Sequence, residues 1–338
     1  MAKITISLFE VKEKWQKELL QQRLPAASFS LRFSPHKTSP SNLRQHSDAQ
    51  ALSIFIHCRI DKAALTRLPQ LKFITTNSTG FDHIDLAETR QRGIVVSNVP
   101  YYGENTVAEH AFALILALSR KIVQSANRTR QGRFNLKGLR GFDLKGKTIG
   151  IVGTGHIGEH AVRIATGFEM KILAYDPFPK PELMKRYHVR YVGLEKVLSN
   201  ADVLTLHAPY NKKTHHLINR GNIRLMKPGS ILVNTARGGL VETAALLVAL
   251  RSGRLAGVGL DVLEEEGIIS EDKKLISSYL EREKLSVALQ DHQLLAEENA
   301  IITPHNAFNS QEAVLRITQT TIENFQAWAK GKPINVVG

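Results

Sequence analysis

Short apolar runs rich in β-branched residues alternate with longer stretches of mixed polarity along the first hundred residues. Four of these runs predict strands, over residues 3–9, 51–58, 71–77 and 93–99. Strands that alternate with helical or irregular segments are typical of a parallel sheet. The first part of the chain therefore predicts an α/β fold.

The stretch 104–122 predicts one helix, with Asn105 or Thr106 as its N-cap. The middle of this helix is apolar on every face. That pattern predicts burial on all sides, either between two domains or against a second subunit. His110 lies within the helix and is expected to be a packed histidine rather than a catalytic one.

The second part of the chain repeats the alternation of strands and helices. A helix is predicted over 156–168. The predicted strands are 147–153, 170–176, 202–209, 230–236, 258–262 and 300–305. This order predicts a second parallel sheet.

The turn between the first of these strands and the helix has the spacing G-x-G-x-x-G. Gly153 would form the turn, Gly155 would admit a pyrophosphate, and Gly158 would let the helix pack on the strand. Asp176 ends the next strand, where dinucleotide-binding folds place an acidic residue on the ribose hydroxyls. The motif therefore predicts NAD, bound at the helix N-terminus, rather than NADP, whose 2′-phosphate Asp176 would repel.

Residues with reactive side chains follow the later strands. They are Arg237, Asp261, one of the glutamates at 264–266, and His305. An arginine can bind a carboxylate through two hydrogen bonds, and a histidine beside a glutamate can exchange a proton near neutral pH. Beside a nicotinamide, this set suits hydride transfer between a 2-oxo acid and a 2-hydroxy acid. Taken singly, each residue also fits a structural role.

Length, composition and charge narrow the class of protein. A chain of 338 residues with 43% apolar content is long enough for two globular domains. The formal charge is +14, but the basic residues are scattered, and the densest run, 119–147, is read as a solvated helix end and loop. A basic surface also attracts anionic cofactors and substrates. Neither a nucleic-acid partner nor a metal site is predicted.

The same features suggest where the protein works. The single cysteine, Cys58, rules out an intrachain disulfide and is expected to serve as packing in an apolar strand. The first residues lack the apolar region of a signal peptide, and the longest apolar stretch, 111–118, is too short to cross a bilayer. We expect a cytoplasmic protein with no membrane partner.

The chain resembles the D-isomer-specific 2-hydroxyacid dehydrogenase family. The resemblance rests on ordered motifs: STGFDHID, VPYYGENTVAEHA, GTGHIG, HAPYNKKTHHLI, MKPGSILVNTARGGLVE, GVGLDVLEEE and ITPHNAF. It is clear over 70–263 and 300–310 and weaker at both ends. His156, Ile157 and Tyr102 are most similar to the D-lactate dehydrogenase branch.

The resemblance implies two doubly wound parallel-sheet domains, Rossmann- or flavodoxin-like, with a cleft between them. The substrate domain would be discontinuous, over residues 1–104 and 306–338, with the C-terminal tail forming one helix that crosses back. Residues 105–305 would form the NAD-binding domain. The family also implies a homodimer.

The resemblance assigns roles to individual residues. Arg237 would bind the substrate carboxylate and polarise the carbonyl, His305 would be the acid/base, and Glu266 would stabilise its protonated form. The implied cofactor contacts are Thr106, Gly153, Gly155, His156, Ile157, Gly158, Asp176, His207, Pro209, Thr235, Ala236 and Asp261. The implied substrate-binding residues are Ser78, Thr79, Gly80, Tyr102, Arg237 and Phe308. By itself, the loop 76–85 that holds three of them fits an ordinary turn equally well.

The sequence departs from the family pattern in three places. The segment 267–299 is longer than in many members, lacks proline and has the charge pattern of an added helix that could cover the active site. Glu264 and Glu266 would share one face of a continuing strand, so only the family spacing selects Glu266. Position 77, often arginine in relatives, is asparagine here.

Several functions therefore compete. The first is an NAD-dependent oxidoreductase that reduces a small 2-oxo acid to a D-2-hydroxy acid, with D-lactate as one product to test. The second is a glyoxylate or hydroxypyruvate reductase. The third is a catalytically silent NAD-sensing protein similar to a transcriptional corepressor. The presence of the whole catalytic trio of the family, Arg237, Glu266 and His305, argues against this third function.

Overall fold

The chain divides into two compact units. The computed structural model describes residues 3–266 and 282–337. One unit comprises Met1–Tyr102 with Ser310–Gly338, and the other comprises Gly103–Asn309. The first part of the predicted insertion, residues 267–281, lies outside the described residues.

The strands and helices alternate along most of the chain. The strands are β1 (Ile4–Phe9), β2 (Phe29–Ser34), β3 (Ala51–Ile54), β4 (Phe73–Thr76), β5 (Val95–Ser97), β6 (Thr148–Val152), β7 (Lys171–Tyr175), β8 (Arg190–Tyr191), β9 (Val203–Leu206), β10 (Ser230–Asn234), β11 (Leu255–Leu260) and β12 (Ala300–Ile302). The helices are α1 (Lys14–Arg23), α2 (Pro40–Gln45), α3 (Lys62–Thr66), α4 (Leu86–Gln91), α5 (Glu104–Ser119), α6 (Ile122–Arg130), α7 (His156–Gly167), α8 (Pro181–Tyr187), α9 (Leu194–Asn200), α10 (Thr243–Arg251), α11 (Arg282–Leu295) and α12 (Gln311–Ala329). Short 3-10 turns lie at Ile223–Leu225 and Gly238–Leu240.

The first unit contains a five-stranded parallel sheet in the order β2-β1-β3-β4-β5. This is the flavodoxin-like doubly wound order. Apolar side chains cover both faces of the sheet. On one face the C-terminal helix α12 buries Ile322 and Phe325 together with Ile6, Leu8 and Phe73 from the strands. The predicted C-terminal helix is therefore confirmed.

The second unit contains a seven-stranded parallel sheet in the order β12-β11-β10-β9-β6-β7-β8. Counted from β6, this is the Rossmann order with one added strand, and the order reverses between β6 and β9. Helices α5 and α7 pack on one face, and α9, α10 and α11 contribute to the core on the other. The predicted α/β fold with two doubly wound parallel sheets is confirmed.

Two strands were not predicted from the sequence. Strand β2 lies at the edge of its sheet and is only partly buried along most of its length, so its apolar signal is diluted by polar residues such as Arg32. Strand β8 has only two residues. Both are edge strands, where one side of the backbone has no neighbouring strand to bury it.

The helix predicted over 104–122 is in fact two helices. Lys121 has a left-handed backbone (φ 55°), which ends α5 and starts α6. The predicted N-cap is also wrong, because the helix begins at Glu104 with Gly103 as N-cap. Asn105 instead donates from Nδ2 to Glu109, one turn along the helix, at 3.0 Å.

Burial of α5 on all sides, against a second subunit, stays a prediction, because the structure describes a single chain. Its apolar residues pack within the second unit, against α7 and the sheet, but Glu109 and Ala113 are exposed. The basic stretch that follows is solvated, as predicted, since α6 has no buried residue. Among the described helices, none has the length and apolar character needed to span a bilayer.

Candidate active site

The glycine turn between β6 and α7 is shaped by close backbone contacts. Gly153 has φ +89°, and a Cβ there would lie 2.7 Å from the Ala208 nitrogen. A Cβ on Gly158 would lie 2.0 Å from the Gly153 carbonyl oxygen. At Gly155, by contrast, a Cβ would meet nothing within 4 Å, so the space in front of this residue is open. Gly155 is also the N-cap of α7 and has no side chain to occupy the first-turn N–H groups.

Asp176 follows β7 and is fixed by its neighbours. Its Oδ2 accepts hydrogen bonds from the Thr154 nitrogen at 2.6 Å and the Thr154 hydroxyl at 3.0 Å, and its Oδ1 accepts from the Phe178 nitrogen at 2.8 Å. Tyr191 donates to the Thr154 hydroxyl at 3.0 Å. The carboxylate is thereby held beside the glycine turn. Thr154 and Tyr191 were not predicted to be site residues. Thr154 could have been identified from the sequence, because it lies within the glycine motif.

Two polar atoms at the ends of neighbouring strands have no partner in the described chain. They are Nδ1 of His207, after β9, and the hydroxyl of Thr235, after β10. Burial lowers the pKa of His207 to about 4, so its ring is neutral near pH 7. Its Nε2 contacts the Thr205 hydroxyl at 3.0 Å. Buried polar atoms are costly unless bonded, so this edge of the sheet is suited to a polar ligand.

The orphaned atoms and the open space at Gly155 together fit a dinucleotide. They lie at the carboxyl ends of β6, β9 and β10, around the reversal in strand order, where open α/β sheets bind ligands. The other residues predicted to contact the cofactor in this unit are distributed as follows: Thr106 is buried in the first turn of α5, His156 and Ile157 begin α7, Pro209 follows His207, and Ala236 follows Thr235.

Arg237 lies in the turn that follows β10, and Asn234 at the end of that strand stabilises the turn. The side chain of Asn234 donates to the Arg237 carbonyl at 2.8 Å and accepts from the Ala236 nitrogen at 3.0 Å. The guanidinium donates to the Ala236 carbonyl at 2.8 Å. A Cβ on Gly238 would lie 2.1 Å from the Leu263 backbone, so this turn packs closely on the segment after β11. Asn234 was missed in the sequence, although an asparagine at a strand end is a common turn signal.

His305 and Glu266 face each other in the same unit. The two carboxylate oxygens of Glu266 lie 3.2 and 3.1 Å from Nδ1 of His305. His305 has a left-handed backbone (φ 52°), and its nitrogen donates to the Thr303 carbonyl at 2.9 Å. A carboxylate at hydrogen-bond distance from Nδ1 stabilises the imidazolium and leaves Nε2 as the nitrogen for proton exchange.

Asp261 anchors the turn that carries His305. It is only 1% exposed, and its carboxylate accepts hydrogen bonds from the Thr303 hydroxyl and the backbone nitrogens of Asn306 and Ala307, at 2.5 to 3.0 Å. His110, on α5, contacts the Thr303 hydroxyl at 3.1 Å through Nε2. Phe308 follows this turn and is partly buried. The geometry around Asp261 is that of a residue that positions the turn.

Glu264 and Glu266 do not share a face, contrary to the expectation from strand alternation. Strand β11 ends at Leu260, so residues 264–266 lie in an irregular segment. Glu264 turns towards His216, with 2.5 Å between its Oε1 and the histidine Nε2. Of these two glutamates, Glu266 is the one bonded to His305.

The predicted substrate-binding residues of the first unit lie around the loop after β4. Ser78 donates from its hydroxyl to the Gly80 carbonyl at 2.7 Å, and Thr79 donates from its hydroxyl to the Val99 carbonyl at 3.0 Å. The Tyr102 carbonyl accepts from Nε of Arg316 at 2.7 Å. Asn77 is structural, because its Oδ1 accepts hydrogen bonds from Ser53 and Thr321.

Comparisons with known proteins agree on one family. Residues 112–307 match the family described as D-isomer specific 2-hydroxyacid dehydrogenase, NAD binding domain. A D-lactate dehydrogenase of Curvularia clavata is 40% identical over 288 residues, which cover 84% of this chain and 80% of that relative. A glyoxylate reductase of Thermococcus litoralis is 36% identical over 303 residues, covering 87% and 85%. The solved D-lactate dehydrogenase of Aquifex aeolicus, complexed with NAD and lactic acid, superposes with a TM-score of 0.85 at 32% identity, covering 98% of this chain and 100% of that one.

Proposed function

The chain belongs to the D-isomer-specific 2-hydroxyacid dehydrogenase family and is an NAD-dependent enzyme, and from that premise we propose that it reduces pyruvate to D-lactate. The observation that carries the proposal is the pairing of His305 with Glu266 in the unit that holds Arg237 and the glycine turn. An acid/base pair that is shielded from bulk solvent only in part, as His305 and Glu266 are, and a carboxylate-binding arginine suit the reduction of a 2-oxo acid. The named D-lactate dehydrogenases among the relatives support pyruvate as the oxo acid.

Each residue of the trio has one task in this proposal. The planar guanidinium of Arg237 binds the substrate carboxylate and polarises the carbonyl. His305 donates its Nε2 proton to the carbonyl oxygen as that oxygen becomes a hydroxyl, and Glu266 stabilises the imidazolium before the transfer. In the reverse direction neutral His305 accepts the proton. Ser78, Thr79, Gly80 and Tyr102 of the first unit, and Phe308 of the second, stay predicted substrate-binding residues.

The chain holds NADH through the residues already described. The open space at Gly155 would admit the pyrophosphate at the N-terminus of α7, Asp176 would accept from the ribose hydroxyls, and the orphaned atoms of His207 and Thr235 would be available to the cofactor. Bound NADH supplies the hydride. In this assignment Gly103–Asn309 is the NAD-binding domain, and the other unit is the substrate domain.

The test is a substrate panel with product analysis. NADH oxidation is followed with pyruvate, glyoxylate and hydroxypyruvate, and the lactate formed is resolved by chiral chromatography. The proposal expects pyruvate to have the highest kcat/KM and the product to be the D-isomer. L-lactate, or no turnover of pyruvate, would refute it. Glyoxylate reduction is the second candidate, because a relative of similar identity is a glyoxylate reductase; a higher kcat/KM for glyoxylate would establish it.

We also propose that the protein is a homodimer. The support is a set of exposed apolar side chains on the second unit, Ile122 and Val123 on α6 and Phe134 and Leu136 in the loop after it. Phe134 and Leu136 are 77% and 81% exposed. Exposed apolar side chains of this size gain from being covered, and a second copy of this chain is the partner we assign.

A further inference from the structure

Helix α11 inserts a carboxyl group into the interior of the second unit. Ala288, Asp291 and Leu294 recur at three-residue intervals, and all three are 0% exposed. Leu294 belongs to the apolar core that includes the buried side chains of α10. Asp291 therefore lies on the buried face of the helix, where an acidic side chain is rare unless it has partners.

The partners of Asp291 connect it to the segment that bears Glu266. Its Oδ2 accepts a hydrogen bond from the Glu265 nitrogen at 3.2 Å. Its Oδ1 lies 3.3 Å from the Thr243 hydroxyl. That hydroxyl also lies 2.8 Å from Oε2 of Glu264, which in addition accepts from the Thr243 nitrogen at 3.2 Å. Two carboxyl groups thus share one hydroxyl.

The number of protons available at the Thr243 hydroxyl determines which group donates in each of its two contacts. The Thr243 hydroxyl has a single proton, and its shorter contact is with Glu264, which is already paired with His216. The contact between Thr243 and Asp291 is then favourable only if Asp291 donates. The proton chain runs from Asp291 to Thr243 and on to Glu264. Burial raises the pKa of Asp291 to about 7, and the charges of Glu264 and Glu265 add to this effect.

We propose that Asp291, in its protonated form, is a positioning residue for the acid/base pair. It accepts a hydrogen bond from the Glu265 backbone and holds the Glu264 side chain through Thr243. The two residues that precede Glu266 are therefore both held in position by α11. The segment needs such support because it lies beyond the end of β11 and has no strand ladder. This inference rests on the proposed roles of Glu266 and His305.

Loss of the proton would break the chain of hydrogen bonds. Ionised Asp291 would need the Thr243 proton that Glu264 now accepts, and it would repel the Glu264 carboxylate. Among the described residues, the charged groups that face Asp291 are Glu264 and Glu265, with His216 one step further. The positioning effect is therefore expected to weaken as pH rises through about 7.

Two variants and a control on the same helix test the proposal. Asp291→Asn keeps a donor for Thr243 and an acceptor for the Glu265 nitrogen, and it is neutral at every pH. Asp291→Ala removes both hydrogen bonds. Gln293→Ala changes an exposed residue two positions away. For each protein, kcat and KM for pyruvate are measured from pH 5.5 to 9 at saturating NADH, with NADH affinity measured separately by fluorescence.

We expect Asp291→Ala to lose about tenfold or more in kcat at low pH while NADH affinity stays within about twofold, since misplacement of a catalytic group affects chemistry more than cofactor binding. Asp291→Asn should stay within about threefold of the wild type at low pH, and its kcat relative to the wild type should rise through pH 7. Gln293→Ala should match the wild type throughout.

Wild-type kcat in Asp291→Ala would overturn the proposal. So would a ratio of Asp291→Asn to wild type that stays flat across pH, and this second outcome is informative even if the alanine variant does not fold. If the wild type reduces no 2-oxo acid, the proposed function fails instead. The proton on Asp291 is then still tested by the pH dependence of stability.

Discussion

Replacing Asp291 with asparagine should change how the stability of the protein depends on pH. The pKa of Asp291 rises from an ordinary value of 3.8 to about 7 because the carboxyl is buried. Between these two values the folded chain retains a proton that the unfolded chain releases. The folded state therefore loses stability as pH rises through this range, and above pH 7 the loss is complete.

The size of the effect follows from the rise in pKa. A rise from 3.8 to about 7 corresponds to about 4 kcal/mol in the free energy of unfolding, which is roughly 10 °C in Tm for a unit of this size. Asparagine carries no such proton. The stability of Asp291→Asn relative to the wild type should thus increase by about this amount from pH 4 to pH 7 and then stay constant.

Thermal unfolding followed by circular dichroism at a series of pH values measures this difference. Tryptophan fluorescence is the wrong probe, because Trp15 and Trp328 both belong to the first unit and Asp291 to the second. Effects common to both proteins cancel in the comparison. A difference that stays flat with pH, or that shrinks as pH rises, would refute the assignment of the proton to Asp291.

Asp202→Asn is a control of opposite sign. Burial opposes ionisation of Asp202, yet hydrogen bonds from the Thr148 nitrogen and Lys227 hold the pKa of this carboxyl below its usual range. Its contribution to stability is present above the unfolded pKa and is lost as pH falls. Asp202→Asn should therefore be destabilising near neutral pH, with the deficit shrinking in acid.

Four further predictions concern the active site and assembly. NADH should give a higher kcat/KM than NADPH, and Asp176→Ser should narrow that preference; equal efficiency with the two cofactors in the wild type would remove Asp176 from the ribose site. Arg237→Lys should lose roughly a hundredfold in kcat/KM for pyruvate, because lysine keeps the charge but not the two-pronged geometry, and near-wild-type turnover would contradict this. At saturating NADH, Glu266→Gln should lose more kcat/KM for pyruvate than Glu264→Gln, because Glu266 is the glutamate hydrogen-bonded to His305; the reverse result would exchange the two glutamates. Light scattering should give a dimer for the wild type and more monomer for Phe134→Ser at micromolar concentration, and a wild-type monomer would rule out the assigned interface.

Much of the fold could be predicted because its signals are local. Central strands such as β6 and β10 have mostly apolar, buried residues between turns, and the glycine turn has a fixed spacing. Edge strands β2 and β8 were missed because exposure dilutes their pattern. The break between α5 and α6 could not be predicted, because no glycine or proline marks it. A lysine, Lys121, adopts the left-handed backbone conformation there.

The site was only partly predictable, because some of its residues are placed by local sequence patterns and others by tertiary packing. Arg237 and His305 follow strands, so their place at the edge of the sheet comes from the strand pattern. The choice between Glu264 and Glu266 depends on an irregular segment whose course the sequence does not reveal, and family spacing had to supply it. Asp291 stands among polar residues in a charged insertion. Its burial is a consequence of tertiary packing by α11.

The order of synthesis has a consequence for the first unit. The core around Phe73 is closed by Ile322 and Phe325 of α12, so this unit lacks part of its interior until the helix that follows the whole second unit has left the ribosome. Gly103–Asn309 is continuous and is complete earlier. Because domains fold as units when their cores can form, the middle of the chain would reach its native state before the beginning does. During that interval the incompletely packed sheet of the first unit exposes apolar side chains, and such surface is prone to aggregate unless a chaperone covers it.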